Sequence, residues 1–268
     1  MKKSVCIVLA LVLPCVFGLS GCQTKEKKDV VTVGIIDGPD TAEWDAAKKV
    51  ALKKYNLNIK LVMFSDYTLP NEALNNGEID ANAFQHVPYL DAQIKSRGYK
   101  NIVAVAKTFL YPMAMYSNKI TKLSEIKAGD KIAVPNDPSN ESRALLLLQK
   151  SGLITLKKGV GVNATVVDIV KRNPADLKII ELPGAQLPRS LSDVTAAIIN
   201  NDFAQPAGLN PNKAIVVESA DSPYMNVIAV RKQNQNDKKI QEMIRSFQTP
   251  EVKSLTYRIS DGNAVAGW

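Results

Sequence analysis

From Val30 to the C-terminus, short apolar runs alternate with longer segments in which apolar residues recur every three or four positions. That is the pattern of strands alternating with amphipathic helices. Val30 to Ile36 reads as a buried strand ended by the turn Asp37-Gly38-Pro39-Asp40. Asp40 and Glu43 have the spacing of a capping box, and Trp44, Ala47, Ala51 and Tyr55 then mark the core face of a helix. The order repeats with a strand at Ile59 to Phe64, a helix at Leu69 to Asn76 stopped by Gly77, a strand at Ile79 to Phe84, and a helix at Pro88 to Arg97 stopped by Gly98. Apolar runs at Ile102 to Lys107 and Pro112 to Ser117 follow.

A second block with its own core begins at the strand Lys131 to Val134. It continues with a helix over Ala144 to Gln149 and strands at Leu177 to Leu182, Thr195 to Ile199 and Ala214 to Val217. Met225 to Arg231 returns to strand, and two amphipathic helices close the chain, the first with Ile240, Met243, Ile244 and Phe247 on one stripe. This β/α alternation predicts an α/β protein with mostly parallel sheets, which bind ligands at the carboxyl ends of their strands. Two blocks of roughly 100 residues suit two lobes with a cleft between them.

Composition adds an address. The three cysteines are Cys6, Cys15 and Cys22, so the long remainder of the 268-residue chain has neither a disulfide nor a cysteine metal site. Lys2 and Lys3 precede thirteen apolar residues from Val5 to Phe17, too few to span a bilayer but fitting an export signal. Leu19-Ser20-Gly21-Cys22 then has the form of a lipobox. Residues 1–21 read as the signal and 22–29 as a polar tether. Losing Lys2 and Lys3 with the signal lowers the formal charge from +8 to +6. The excess is scattered and lacks an interleaved aromatic stripe, which argues against nucleic-acid binding.

Three constellations carry candidate chemistry. Phe64, Tyr67, Phe84, His86 and Tyr89 cluster at predicted strand ends, and flat rings there can enclose an apolar or thioether group. His86, the sole histidine, has no nucleophile, orienting carboxylate or second metal ligand in any recognisable motif. Pro135-Asn-Asp-Pro-Ser-Asn-Glu-Ser-Arg143 is read as a loop entering a helix N-terminus, a setting that favours anions. Asn140 and Arg143, three apart, share a face there, and a guanidinium can grip a carboxylate through two parallel hydrogen bonds. Asn200 ends the strand Thr195 to Ile199, where its amide caps the next helix or serves the ammonium and carboxylate of a ligand. One arginine, several amides and a few rings suit a zwitterion with an apolar tail.

The lipobox, Tyr67-Thr-Leu-Pro-Asn-Glu-Ala-Leu, Asp80-Ala-Asn-Ala-Phe-Gln-His86, Pro135-Asn-Asp-Pro-Ser-Asn140, Ala185-Gln-Leu-Pro-Arg and the closing Gly-Asn-Ala-Val-Ala-Gly-Trp268 together resemble the NlpA/MetQ family of methionine-binding lipoproteins over residues 19–268. The resemblance implies a two-lobed periplasmic-binding-protein fold of the type 2 kind. Its first lobe would be 30–115 plus 222–268 and its second 116–221. It implies L-methionine or a close analogue between the lobes, delivery to the permease and ATPase of an ABC importer, no cofactor and no catalysis. Lipid on Cys22 would hold the protein at the cell membrane, facing the periplasm or exterior. Residue by residue, it implies Arg143 as the carboxylate ligand, Asn140 and Asn200 as amide ligands, and Tyr67, Phe84, His86 and Tyr89 as the aromatic pocket. Glu141-Ser142 departs from the family's small or apolar pair; an outward, solvated Glu141 is expected, since glutamate is favourable in a first turn. The rival readings are a surface lipoprotein for another small ligand, such as a methionine-containing dipeptide, an interaction protein without transport, and a hydrolase built on His86.

Overall fold

Strand β1 (Val30–Ile36) pairs in parallel with β2 (Asn58–Phe64) on one side and β3 (Ala81–His86) on the other. The computed structural model describes residues 29–268; the signal segment, Cys22 and the tether up to residue 28 lie outside them. Between these strands run α1 (Asp40–Tyr55) and α2 (Pro70–Asn76), and α3 (Val87–Arg97) leads on to β4 (Ile102–Lys107). Val31, Val33 and Ile35 of β1 are fully buried against Trp44, Ala47 and Ala51 of α1, the positions whose spacing marked the core face.

The chain then passes through β5 (Phe109–Leu110) into a second sheet, built from β6 (Ala114–Tyr116), β7 (Lys131–Pro135), β10 (Lys178–Leu182), β11 (Ala196–Ile199) and β12 (Val216–Val217). A separate hairpin of β8 (Ile154–Leu156) and β9 (Ile169–Arg172) flanks it. After β12 the chain returns, and β13 (Asn226–Arg231) inserts between β3 and β4. The strand orders are β2-β1-β3-β13-β4 and β10-β7-β11-β6-β12. The second block's core is a separate cluster around Met115, Ile132, Leu145, Leu148 and Ile198.

Each sheet departs from the parallel expectation at one place: β13 is antiparallel to β3 and β4, and β6 is antiparallel to β11 and β12. The cause is the double crossing. Parallel strands end at the cleft, so a chain arriving from the other sheet enters at that end and must run the opposite way. Two helices, α7 (Lys238–Phe247) and α8 (Pro250–Ile259), then cover the first sheet, with Phe247 stacked 4.7 Å from Trp44. The C-terminal strand β14 (Val265–Ala266) pairs with β5, and Trp268 packs edge-on against Phe109 at 4.8 Å. The closing motif thus buttresses the first crossing.

Candidate functional site

Two helices start at the cleft from opposite sides. On the first, His86 ends β3 and occupies the N-cap of α3, where its Nδ1 accepts the Tyr89 backbone N–H at 3.1 Å, with Pro88 in the first turn. An accepting Nδ1 leaves the proton on Nε2, which lies 3.3 Å from Asn140 Oδ1 and donates to it. Burial, reinforced by the Arg143 charge, lowers the His86 pKa to about 3, so the ring is neutral. Opposite, Asp137 caps α4 (Pro138–Lys150), accepting from Asn140 N, Ser139 Oγ and Asn140 Nδ2, each at 3.0 Å. The helix that this segment was expected to enter begins at Pro138, since a capped proline at the first position suits helix initiation.

These two caps fix an amide relay. Asn140 Nδ2 donates to Asp137, so its Oδ1 accepts from His86 and from Asn200 Nδ2 at 2.8 Å. Asn200 sits at the N-cap of α6 (Asn201–Ala204) but makes no side-chain cap bond. Its Oδ1 is buried and has no partner among the described residues. A buried amide oxygen without a donor is costly, and this one lines the cleft cavity.

Arg143 lies one turn beyond Asn140 and is 4% exposed rather than solvated. Its Nε donates to Glu218 Oε1 and Oε2 at 2.9 and 3.1 Å, Nη2 also pairs closely with Glu218, and Nη2 donates to the Tyr111 carbonyl at 2.9 Å. The ring of Tyr224 stacks 4.7 Å from the guanidinium. The anion that Arg143 invites is thus met first by an internal carboxylate. The sequence reading had the guanidinium gripping a ligand through two parallel hydrogen bonds; its Nε–Nη2 edge is held by Glu218, from 75 residues downstream.

The apolar wall is built by a local irregularity. Val227 pairs with Gln85 but Ile228 pairs with Ala83, leaving Phe84 as an extra residue bulged out of β3, and a bulge re-aims side chains. Phe84 lies 5.6 Å from Tyr67 and edge-on to Tyr89 at 5.8 Å. Tyr67 also stacks at 4.8 Å on Phe203 of the second block, and its hydroxyl donates to Asp202 Oδ2 at 2.8 Å. Behind the wall, Asn71, Asn82 and Gln85 form a buried amide network, Gln85 Nε2 reaching Asn71 Oδ1 at 2.6 Å and Asn82 Oδ1 at 2.9 Å. Phe64 stands apart. Its ring packs over Gly34, where a Cβ would come within 3.0 Å, and does not line the cavity.

Two further expectations are corrected. Asp40 and Glu43 do not form a capping box: Pro39 occupies the N-cap, and both acids turn inward. Glu43 accepts from the Tyr111 hydroxyl; burial raises the carboxyl pKa values of Asp40, Glu43 and Asp202, and the Asp202 charge adds to the rise at Asp40 and Glu43. Glu141 is 6% exposed and neither solvated nor in the cavity; its Oε1 accepts the Val166 N–H at 2.8 Å, while Ser142 Oγ accepts that of Ala164 at 3.1 Å. The departing pair secures the loop around residues 161–166.

Tyr67, Phe84, His86, Tyr89, Asn140, Arg143 and Asn200 surround one cavity between the two sheets. Sequence reasoning missed Tyr111, Asp202 and Asn226 on the same lining, and held Gln85 and Asn201 within its motifs without assigning them to the site. Asp202 belonged to a segment already singled out, and Asn226 opens an apolar strand as Asn200 closes one, the only signals available. The space is about 20 Å³, little more than a water molecule needs. A molecule the size of an amino acid does not fit that space as it stands.

A family model described as NlpA lipoprotein matches residues 31–268. The chain belongs to the NlpA lipoprotein family. Within it, the chain is 51% identical over 254 residues to the D-methionine-binding lipoprotein MetQ of Salmonella typhimurium, covering 93% of each. Among solved structures of similar proteins, the methionine binding protein MetQ superposes with a TM-score of 0.88 at 48% identity, covering 90% of this chain and 99% of that one. A nutrient binding protein from Burkholderia cenocepacia bound to methionine gives 0.86 at 49% identity, covering 89% and 100%. The NlpA fold is thus the two-lobed α/β architecture of substrate-binding proteins.

Proposed function

We propose that this chain is a lipid-anchored receptor that binds methionine between its lobes and delivers it to the permease and ATPase subunits of an ABC importer. The observation that carries this reading is the convergence, on one inter-lobe cavity, of a partnerless amide oxygen, a guanidinium and a ring wall. Asn200 Oδ1 supplies an acceptor for the ligand's ammonium, and Arg143 supplies charge for its carboxylate. The rings of Tyr67, Phe84 and Tyr89 face the thioether, each sulfur–aromatic contact contributing about 0.3–1.5 kcal/mol. The relatives named for methionine, one of them solved with it bound, support the same ligand class.

The proposed lobes are those expected from sequence, 30–115 with 222–268 and 116–221, except that Ala114 and Met115 go with Tyr116 into the second, since β6 pairs there; they close over the ligand by hinge motion and present a closed face to the permease. No catalytic step is assigned: the neutral, buried His86 is committed at both nitrogens. Among the described residues no helix is long and apolar enough to cross a membrane, and attachment is assigned to lipid on Cys22. Cys22→Ala is expected to release the protein from membranes into the soluble fraction.

Calorimetric titration of protein refolded free of ligand tests the reading, with L- and D-methionine as separate arms. One-to-one binding of either is expected, weakened by about 1.5–3 kcal/mol in Arg143→Ala, the range for a hydrogen bond to a charged group. No heat with either enantiomer at millimolar concentration rejects the ligand.

A further inference from the structure

Arg143 has five N–H donors. Nε–H and both hydrogens of Nη2 are committed to Glu218 and the Tyr111 carbonyl. Only Nη1 has no partner among the described residues. Glu218 is itself anchored, its Oε2 accepting the Met113 N–H at 3.1 Å and its Oε1 the Ser222 hydroxyl at 2.8 Å. These contacts sort by origin. Tyr111 and Met113 lie on the first crossing between the sheets; Glu218, Ser222 and the stacked Tyr224 lie on the second. Arg143 is therefore tied to both connections about which the lobes must move, and its charge is balanced inside the protein by a carboxylate 11% exposed.

We propose that Glu218 is the positioning residue of this site: it locks Arg143 onto both inter-lobe crossings and occupies the guanidinium's Nε–Nη2 edge, while the Tyr111 carbonyl takes the other Nη2 hydrogen, so that a ligand's acid group is met by Nη1 alone, beside neutral amides. The inference rests on the methionine reading for the identity of the ligand, though not for the clamp itself. It follows that the site is not a strong selector for a negative charge. A carboxylate facing a bare arginine would be strongly preferred over a neutral amide; one facing an arginine already paired with Glu218 is preferred weakly.

The test compares L-methionine with L-methionine amide by calorimetry in the wild type, Glu218→Gln and Glu218→Asp. The wild type is expected to favour methionine by less than about tenfold, and Glu218→Gln, which unbalances Arg143, to raise that ratio by about tenfold or more. Glu218→Asp keeps the charge at shorter reach, so both ligands should weaken together with the ratio near the wild-type value. A ratio unchanged or lowered in Glu218→Gln overturns the proposal. A ligand-independent arm uses side-chain ¹⁵N NMR, with the Arg143 signal assigned by its loss in Arg143→Lys. Its Nε–H should exchange slowly with solvent in the wild type and rapidly in Glu218→Gln. Rapid exchange in the wild type overturns the clamp even if neither ligand binds, whereas slow exchange without binding rejects only the methionine reading.

Discussion

The two helix entrances that face each other across the cleft are built alike and carry opposite chemistry. Each follows a strand of its own sheet, each has a side chain as N-cap and a proline in the first turn, and each cap accepts the backbone N–H three residues on. At α3 the cap is a neutral imidazole among rings; at α4 it is a carboxylate beside amides and an arginine. One folding device thus supplies both halves of an amphipathic site, and the identity of the cap decides which half. The histidine is the less ordinary choice, because it can cap only while unprotonated, and burial keeps it so.

The largest break in this comparison comes from the charged side. Arg143→Met leaves Glu218 buried without its partner, and urea unfolding should show a loss of about 3–5 kcal/mol, largely recovered in the double variant Arg143→Met/Glu218→Leu. A loss under about 1 kcal/mol would mean that solvent reaches the pair, as at an exposed ion pair.

The neutral side breaks with acid. The folded-state pKa of His86 is lowered from 6.5 to about 3, so between those values the unfolded chain holds a proton that the folded chain lacks. His86 therefore costs stability as pH falls through that window, by at most about 1.4 kcal/mol per pH unit. Urea unfolding from pH 7 to 4 should show this slope flattened in His86→Asn, which still caps. The raised carboxyls Asp40, Glu43 and Asp202 act in the opposite sense. Folded, they keep protons the unfolded chain has released, so stability falls as pH rises above the ordinary carboxylate range, and Glu43→Gln should reduce that second slope.

Smaller effects sharpen the picture. Asp137→Ala removes the α4 cap and the group that orients Asn140; a loss of about 0.5–2 kcal/mol is expected in unfolding, with weaker methionine binding. The counterpart cap variant, His86→Asn at pH 7, should change stability less. Least of all, Gly38→Ala would place a Cβ 3.1 Å from the Asp202 carbonyl and 3.4 Å from Pro206. That contact joins the β1–α1 turn to the opposite lobe, so Kd should rise by about two- to fivefold with unfolding unchanged, the mark of a less populated closed state.

The α/β alternation was legible because fully buried strands such as Ala196–Ile199 appear as unbroken apolar runs, and α1 shows its core stripe through Trp44. The double crossing was not, because hydrophobic pattern reports what is buried and not against which sheet. Asp40 and Glu43 misled for a physical reason: acids three apart satisfy a capping box and also place two carboxyls on one helix face, and here the second use prevails. The residues gathered on the cavity came from motif-rich segments at strand ends. Glu218 had no such signature, a single acid after Val216 and Val217 whose meaning depends on an arginine far upstream. Glu141 shows the converse, a favourable first-turn residue whose burial is set by a loop the local pattern does not contain.

The strand that begins at Val30 runs toward the cleft and reaches it only at Ile36, so the chain leaves the domain from the base of its first sheet. An anchor ahead of Val30, as the proposed lipid on Cys22 would be, therefore attaches at the floor of the first sheet, at the far end of the strand from the rim where the two sheets face each other.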